Sequence, residues 1–189
     1  SSFETQITIR QRELEIQLLK ADPDDPNTMV VEYTGKPAQI TANDFVIVGG
    51  IEGINVNLAL SVVNPVEGST TAPQNVRYDE EGNIISYEIV AGTIANPNFV
   101  LTKTQGYRYK IVPCDVKIEI YSVGLSKSYD GKAPEIEENN FNFTFTSVNK
   151  TNLAKSAVEF VFTRTVQDAR PNGDVGEYSV SIVCDDRNH

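Results

Sequence analysis

Apolar and polar residues alternate with a period of two in segment after segment of this chain. The pattern runs through ITIRQRELEIQLL from Ile7, FVIVG from Phe45, NLALSVV from Asn57, ISYEIV from Ile85 and YRYKIV from Tyr107. It continues in VKIEIYSV from Val116, FNFTFTSV from Phe141, AVEFVFTRTV from Ala157 and EYSVSIVC from Glu177. Neighbouring side chains on a strand point to opposite faces, so this alternation predicts half-buried strands. In the run from Ala157, Val158, Phe160 and Phe162 share a face that Arg164 ends. Turn formers separate the runs: ADPDDPN from Ala21, VGGIEG from Val48, VEGSTTAP from Val66, DEEGN from Asp79 and RPNGDVG from Arg170.

Helix signals are sparse. TANDF offers Thr41 or Asn43 as the cap of one turn, and NKTNLAKSA from Asn149 is short and polar. A small helix laid across a sheet in each half makes the expected fold mostly β and β-grasp-like, with immunoglobulin-like sandwiches as the alternative.

The chain repeats itself. VEYTGKPAQI from Val31 is echoed by KSYDGKAPEI from Lys127, which sets Tyr33 against Tyr129 and Gly35 against Gly131. Leu14-Glu15-Ile16 likewise matches Val116-Lys117-Ile118, and ITIRQREL from Ile7 parallels YKIVPCDV from Tyr109. The two alignments differ by six residues, which the sequence places in the Asp/Pro loop ADPDDP. A repeat of this length signals tandem domains rather than a solenoid, whose repeats run to about 20–50 residues. The expected organisation is a first β-rich domain over 1–112 and a second, truncated or degenerate one over 113–189. Pro113 in the junction removes a backbone donor, which favours a stiff connection.

Tyr129-Asp130-Gly131-Lys132, the later Gly176-Glu177-Tyr178-Ser179-Val180, and Asn98-Phe99-Val100-Leu101-Thr102 with Gly106-Tyr107 and Ile111 occur in a telling order. The order resembles the MBG tandem repeats of bacterial cell-surface proteins, which read YDG, GxY, NYxLT and then a closing glycine with an alternating strand. Thr34 stands where that pattern has Asp and Phe99 where it has Tyr, and the second unit reaches CDDRNH without an NYxLT strand or a closing strand. The resemblance implies an extracellular, bacterial, β-rich module of an adhesin or stalk. Its expected partner is a host or neighbouring-cell protein or glycan, and the piece itself is expected to be a monomeric segment of a longer chain.

Composition narrows the partners. With 16 basic and 26 acidic residues the net charge is −10, which opposes nonspecific attraction to nucleic acid or to an anionic membrane surface. No apolar run approaches the roughly 20 residues of a membrane-spanning helix, so direct membrane insertion is not expected. The start SSFETQITIR lacks an initiator Met and a signal-like core, as in a mature or excised segment.

Candidate chemistry is thin. Glycine at 35 and 131 suits a turn needing positive φ, with Tyr33 and Tyr129 lying on strand ends, hydroxyls in water, and Lys36 and Lys132 as solvated charges. The lone histidine, His189, sits at a terminus expected to fray, which argues against a Ser-His-Asp or Cys-His apparatus. The acid pairs Asp24-Asp25, Glu80-Glu81, Glu137-Glu138 and Asp185-Asp186 are adjacent in sequence and do not face each other across a cleft. Asp22, Asp24, Asp25 and Asn27 are a weak calcium candidate against a plain Asp/Pro turn. Cys114 and Cys184 can be a cross-sheet disulfide or two buried thiols. No phosphate-binding glycine loop is present, and no cofactor is implied. The expectation is a non-enzymatic module, the alternatives being a carbohydrate- or protein-binding receptor domain or an accessory domain of an extracellular hydrolase.

Overall fold

The structure, a computed structural model, describes residues 2–145, 153–166 and 173–189. The chain divides into two compact units: Ser1–Glu32 with Lys36–Val112, and Tyr33–Gly35 with Pro113–His189. Both are built of strands, and the helical residues among those described are three short 3-10 turns.

Unit 1 contains β1 (Arg12–Leu18), β2 (Ala21–Asp22), β3 (Asp25–Glu32), β4 (Phe45–Val48), β5 (Leu60–Val62), β6 (Arg77–Tyr78), β7 (Ile84–Ile85), β8 (Tyr87–Ala91), β9 (Phe99–Leu101) and β10 (Tyr107–Val112). One sheet has the order β4-β1-β9, a second the order β2-β3-β10-β8-β5, and β6 with β7 forms a separate ribbon. Two of the pairings are parallel, β1 with β9 and β10 with β3, so each sheet joins strands distant in sequence.

The alternation read from sequence is what fills the core between these sheets. Leu14, Ile16 and Leu18 of β1 are buried while the residues between them are exposed. Met29, Ile89, Tyr107, Tyr109 and Ile111 are buried on the larger sheet. Each such side chain contributes about 1.5–3 kcal/mol by leaving water. The Tyr107 hydroxyl donates to the Ile16 carbonyl at 3.4 Å and so ties one sheet to the other. The Tyr87 hydroxyl donates to the Asn75 carbonyl at 2.6 Å. Burial raises the pKa of both phenols.

Three local expectations are corrected. Residues 7–11 are not part of a strand: Ile7 and Ile9 are 86% and 93% exposed and β1 starts at Arg12. The Asp/Pro segment is not a simple loop but the β2–β3 hairpin, whose second strand enters the large sheet beside β10. TANDF makes no helix. Thr41 instead closes a turn in which its N–H and hydroxyl both donate to Asp44 Oδ2 at 2.8 Å. Asp44 also takes Lys20 Nζ at 2.8 Å. Burial pushes the Asp44 carboxyl up, but the bonds from Lys20 and Thr41 outweigh it and hold the pKa below the ordinary value.

Unit 2 contains β11 (Val116–Ile120), β12 (Phe141–Phe145), β13 (Val158–Arg164) and β14 (Tyr178–Cys184). They form two antiparallel pairs, β11 with β12 and β13 with β14. Phe141 is the largest fully buried side chain, set edge-on to Phe160 at 5.0 Å and to Phe143 at 5.7 Å. Lys155 stands over its ring at 4.8 Å and donates to the Phe141 carbonyl at 2.6 Å and to that of Glu138. Of NKTNLAKSA, residues 149–152 lie outside the described residues, and Lys155–Ala157 is a 3-10 turn. Residues 170–172 of RPNGDVG also lie outside them.

Several strand pairings and bonds match between the two units. In β1–β4 Ile16 faces Ile47 and Leu18 faces Phe45; in β11–β12 the matching residues Ile118 and Ile120 face Phe143 and Phe141. The Leu19 N–H donates to Asp44 at 2.9 Å, and the Tyr121 N–H to Asn140 at 2.8 Å. The Arg12 N–H donates to Asn98, and the Cys114 N–H to Asn188. Asn98 N–H donates to Asn96 Oδ1 as Asn188 N–H does to Asp186 Oδ1. The six-residue difference is accounted for between these matched points, where unit 1 has the β2–β3 hairpin and unit 2 the 3-10 turn Ser122–Leu125.

Candidate functional site

The repeated glycines sit where a turn requires them. Gly35 and Gly131 have φ of +69° and +77°, in the left-handed region that side chains with a Cβ rarely adopt. Around Gly131 the Lys132 N–H donates to Asp130 Oδ1 at 3.0 Å, closing an Asx turn, and Lys127 Nζ sits 3.0 Å from the same oxygen. The Lys127 bond, followed by that of the Lys132 backbone, holds the Asp130 carboxyl below its ordinary pKa. Tyr129 is exposed. Tyr33 departs from the turn reading: the ring lies edge-on to His189 at 5.3 Å, and burial first, then the Asp186 charge, raises the phenol.

Space around Gly131 separates a turn from a contact site. A Cβ built there meets nothing within 4 Å, so Gly131→Val is expected to cost backbone strain alone, about 1–3 kcal/mol. Lys132→Ala, at an exposed side chain, is expected to stay within about 0.5 kcal/mol. Urea titrations of the two variants check this, and a neutral Gly131→Val sinks the turn assignment.

The turn also borders a recess in unit 2, a groove of about 950 Å³. Leu125, Tyr129, Ile136, Phe162, Tyr178 and Val180 give it an apolar lining, with Lys132 and several carboxylates around them. Unit 1 explains why it is open. Tyr87 and Ile89 of β8 lie opposite Tyr109 and Tyr107 of β10 and are buried, Ile89 completely. Their counterparts on β14 are Tyr178 and Val180, and Val180 is 36% exposed. No strand among the described residues takes the place of β10. A shallower hollow of about 480 Å³ in unit 1, at residues 38–40, 60–64 and 69–72, has no charged lining.

The remaining candidates are held in local structure. Asp22 Oδ1 accepts the Asp24 N–H at 3.0 Å. Asp25 accepts the Asn27 N–H at 3.0 Å and the Thr28 hydroxyl at 2.7 Å, and Asn27 Oδ1 takes Lys103 Nζ at 2.7 Å. Of the calcium candidates Asp22 and Asp25 thus serve as turn acceptors and Asn27 holds a lysine, and no group of three His, Cys, Asp or Glu converges among the described residues. Cys114 is a buried thiol and Cys184 an exposed one, so neither the disulfide nor the pair of buried thiols is what forms.

His189 overturns the expectation of a frayed end. Its side chain is 1% exposed, Nδ1 lies 3.2 Å from Asp186 Oδ2, and the ring packs between Tyr33 and Phe145. Asn188 and His189 occupy the places of Asn98 and Phe99, as the paired bonds from Cys114 and Arg12 show. The Asn that opens the NYxLT pattern thus has a positional match in unit 2, where no strand is assigned after Cys184 among the described residues. The signal was the Asn, shared by both segments.

The carboxylates with resolved shifts, Asp25, Asp44, Asp79 and Asp130, are all moved down. A carboxyl poised to donate a proton at neutral pH is instead one moved up by burial. Comparison with known proteins gives no significantly similar curated protein and no significantly similar solved structure. Residues 116–185, which hold the four described strands of unit 2, match the family described as MBG domain. Over residues 116–185 the chain is thus similar to the MBG domain.

Proposed function

We propose that this chain is a non-enzymatic, extracellular module of a bacterial surface protein, acting as an adhesin or stalk segment, with unit 1 a second and more elaborate module of the same kind. The MBG domain at residues 116–185 carries the reading. The matched ladders of the two units support the tandem arrangement. The ionised, locally bonded carboxylates support a role without acid–base chemistry. Its partner is a protein or glycan of a host or neighbouring cell.

The location is tested by treating intact source cells with protease and following the chain with an antibody. Loss of the chain without lysis is the expected result, and protection until lysis would sink the proposal. Spacer and adhesin are separated by presenting the chain on beads to glycan and host-protein arrays. Saturable capture identifies the adhesin.

A further inference from the structure

An outer strand of the large sheet in unit 1 has backbone groups without partners among the described residues. β5 pairs with β8 alone. Val63 N–H donates to the Glu88 carbonyl and Gly92 N–H to that of Ala59, so the antiparallel alternation turns residues 59, 61 and 63 toward β8. The N–H and C=O groups of Leu60 and Val62 therefore point away from β8, where no further strand pairs among the described residues. Yet these two residues are only 6% and 7% exposed. Backbone groups covered to that degree are nearly always paired, because an unpaired one has given up its bonds to water for nothing.

Those groups open into the hollow of about 480 Å³. Residues 38–40 and 69–72 form its other walls. The Ala38 N–H fixes one of them by donating to the Pro73 carbonyl at 2.7 Å. The Asn64 amide fixes the other by donating to Ser69 Oγ at 2.9 Å and to the Thr71 carbonyl at 3.0 Å. The hollow also recurs. Ile136 matches Ile40 in the repeat, Phe162 faces Val180 as Val62 faces Ile89, and both Ile136 and Phe162 line the recess of unit 2. A hollow at this place is thus part of the repeated fold.

We propose that this hollow holds a short extended segment of a partner protein, which pairs through its backbone with the edge of β5. Leu60 and Val62 each present an N–H and a C=O, and two residues along a strand set these pairs about 6.6 Å apart. An extended backbone returns N–H and C=O pairs at that same repeat, which the hydroxyls of a sugar ring do not. In such strand addition the main-chain bonds supply affinity, and pockets for alternate side chains supply specificity. The lining holds no charged residue, so a charge carried into it loses its water and gains no partner; the segment's inward side chains are uncharged. This narrows the proposed partner to protein. It does not rest on the proposed location, since binding and protease access are read separately.

The probes are end-blocked pentapeptides that alternate Val with Thr or with Gln, added to the whole 189-residue chain. At about ten times its Kd a bound peptide is expected to slow amide exchange at Leu60 and Val62 about tenfold. N-methylation then tests how it is held. A peptide methylated on the alternate N–H groups that face β5 is expected to lose binding, and one methylated on the other set to keep it. Equal binding of the two means that side chains hold the peptide, and overturns the proposal. Absence of protection at Leu60 and Val62 with every peptide overturns it as well. So does the same protection from a neutral tetrasaccharide, which identifies a sugar site instead.

Discussion

Phe141→Ala is expected to destabilise unit 2 by about 3–5 kcal/mol, the usual cost of emptying a buried phenylalanine site. The ring is 2% exposed and joins the two strand pairs, since Phe141 lies in β12 and its edge-on partner Phe160 in β13. Few other side chains among the unit's described residues are buried, so the packing around the site has little with which to collapse into the cavity. The Lys155 bond to the Phe141 carbonyl involves backbone and survives the change, but its ammonium loses the ring beneath it. A domain's whole margin is about 5–15 kcal/mol, so the loss takes a large share of it. Amide exchange followed by mass spectrometry checks the result. Protection should fall across β11 to β14 while β1 and β10 keep theirs; a loss below about 1 kcal/mol, the centre of ordinary point substitutions, would mean Phe141 does not anchor the unit.

Most strands were legible because their alternation is also their burial pattern, as β1 and β10 show. Residues 7–11 carry the same alternation without forming a strand. Alternation reports a segment able to pair, and pairing needs a neighbouring strand, which this segment does not meet among the described residues. The opposite error fell at β3, where Asp25 and Pro26 at its start are turn formers, and the parallel pairing with β10 brings together residues far apart in sequence. Local pattern carries no record of that partner. The glycine turn was readable at Gly131 because positive φ leaves few alternatives. The groove was not, since it lies beside β14 where no further strand pairs among the described residues. His189 was misread for a related reason: its place comes from matching Phe99, and a histidine does not advertise itself as a core aromatic.

Ile16→Ala is expected to cost unit 1 about 2–5 kcal/mol, while Ile118→Ala at the matching place is expected to cost unit 2 less than about 2 kcal/mol. The side chain, the strand pair and the register are the same at both positions: Ile16 faces Ile47 and Ile118 faces Phe143. What differs is the covering. Beside Ile16, β9 pairs with the outer edge of β1, Thr102 donates to the Leu14 carbonyl through its N–H and its hydroxyl at 3.0 and 3.2 Å, and Tyr107 reaches the Ile16 carbonyl. Ile16 is buried, whereas Ile118 is half-buried on a strand paired on one edge among the described residues. Burial stabilises in proportion to the apolar area removed from water, so the covered site must lose more. Urea titrations with amide exchange assigned to each unit measure both changes in one protein. Equal losses would mean that β11 is covered as fully as β1.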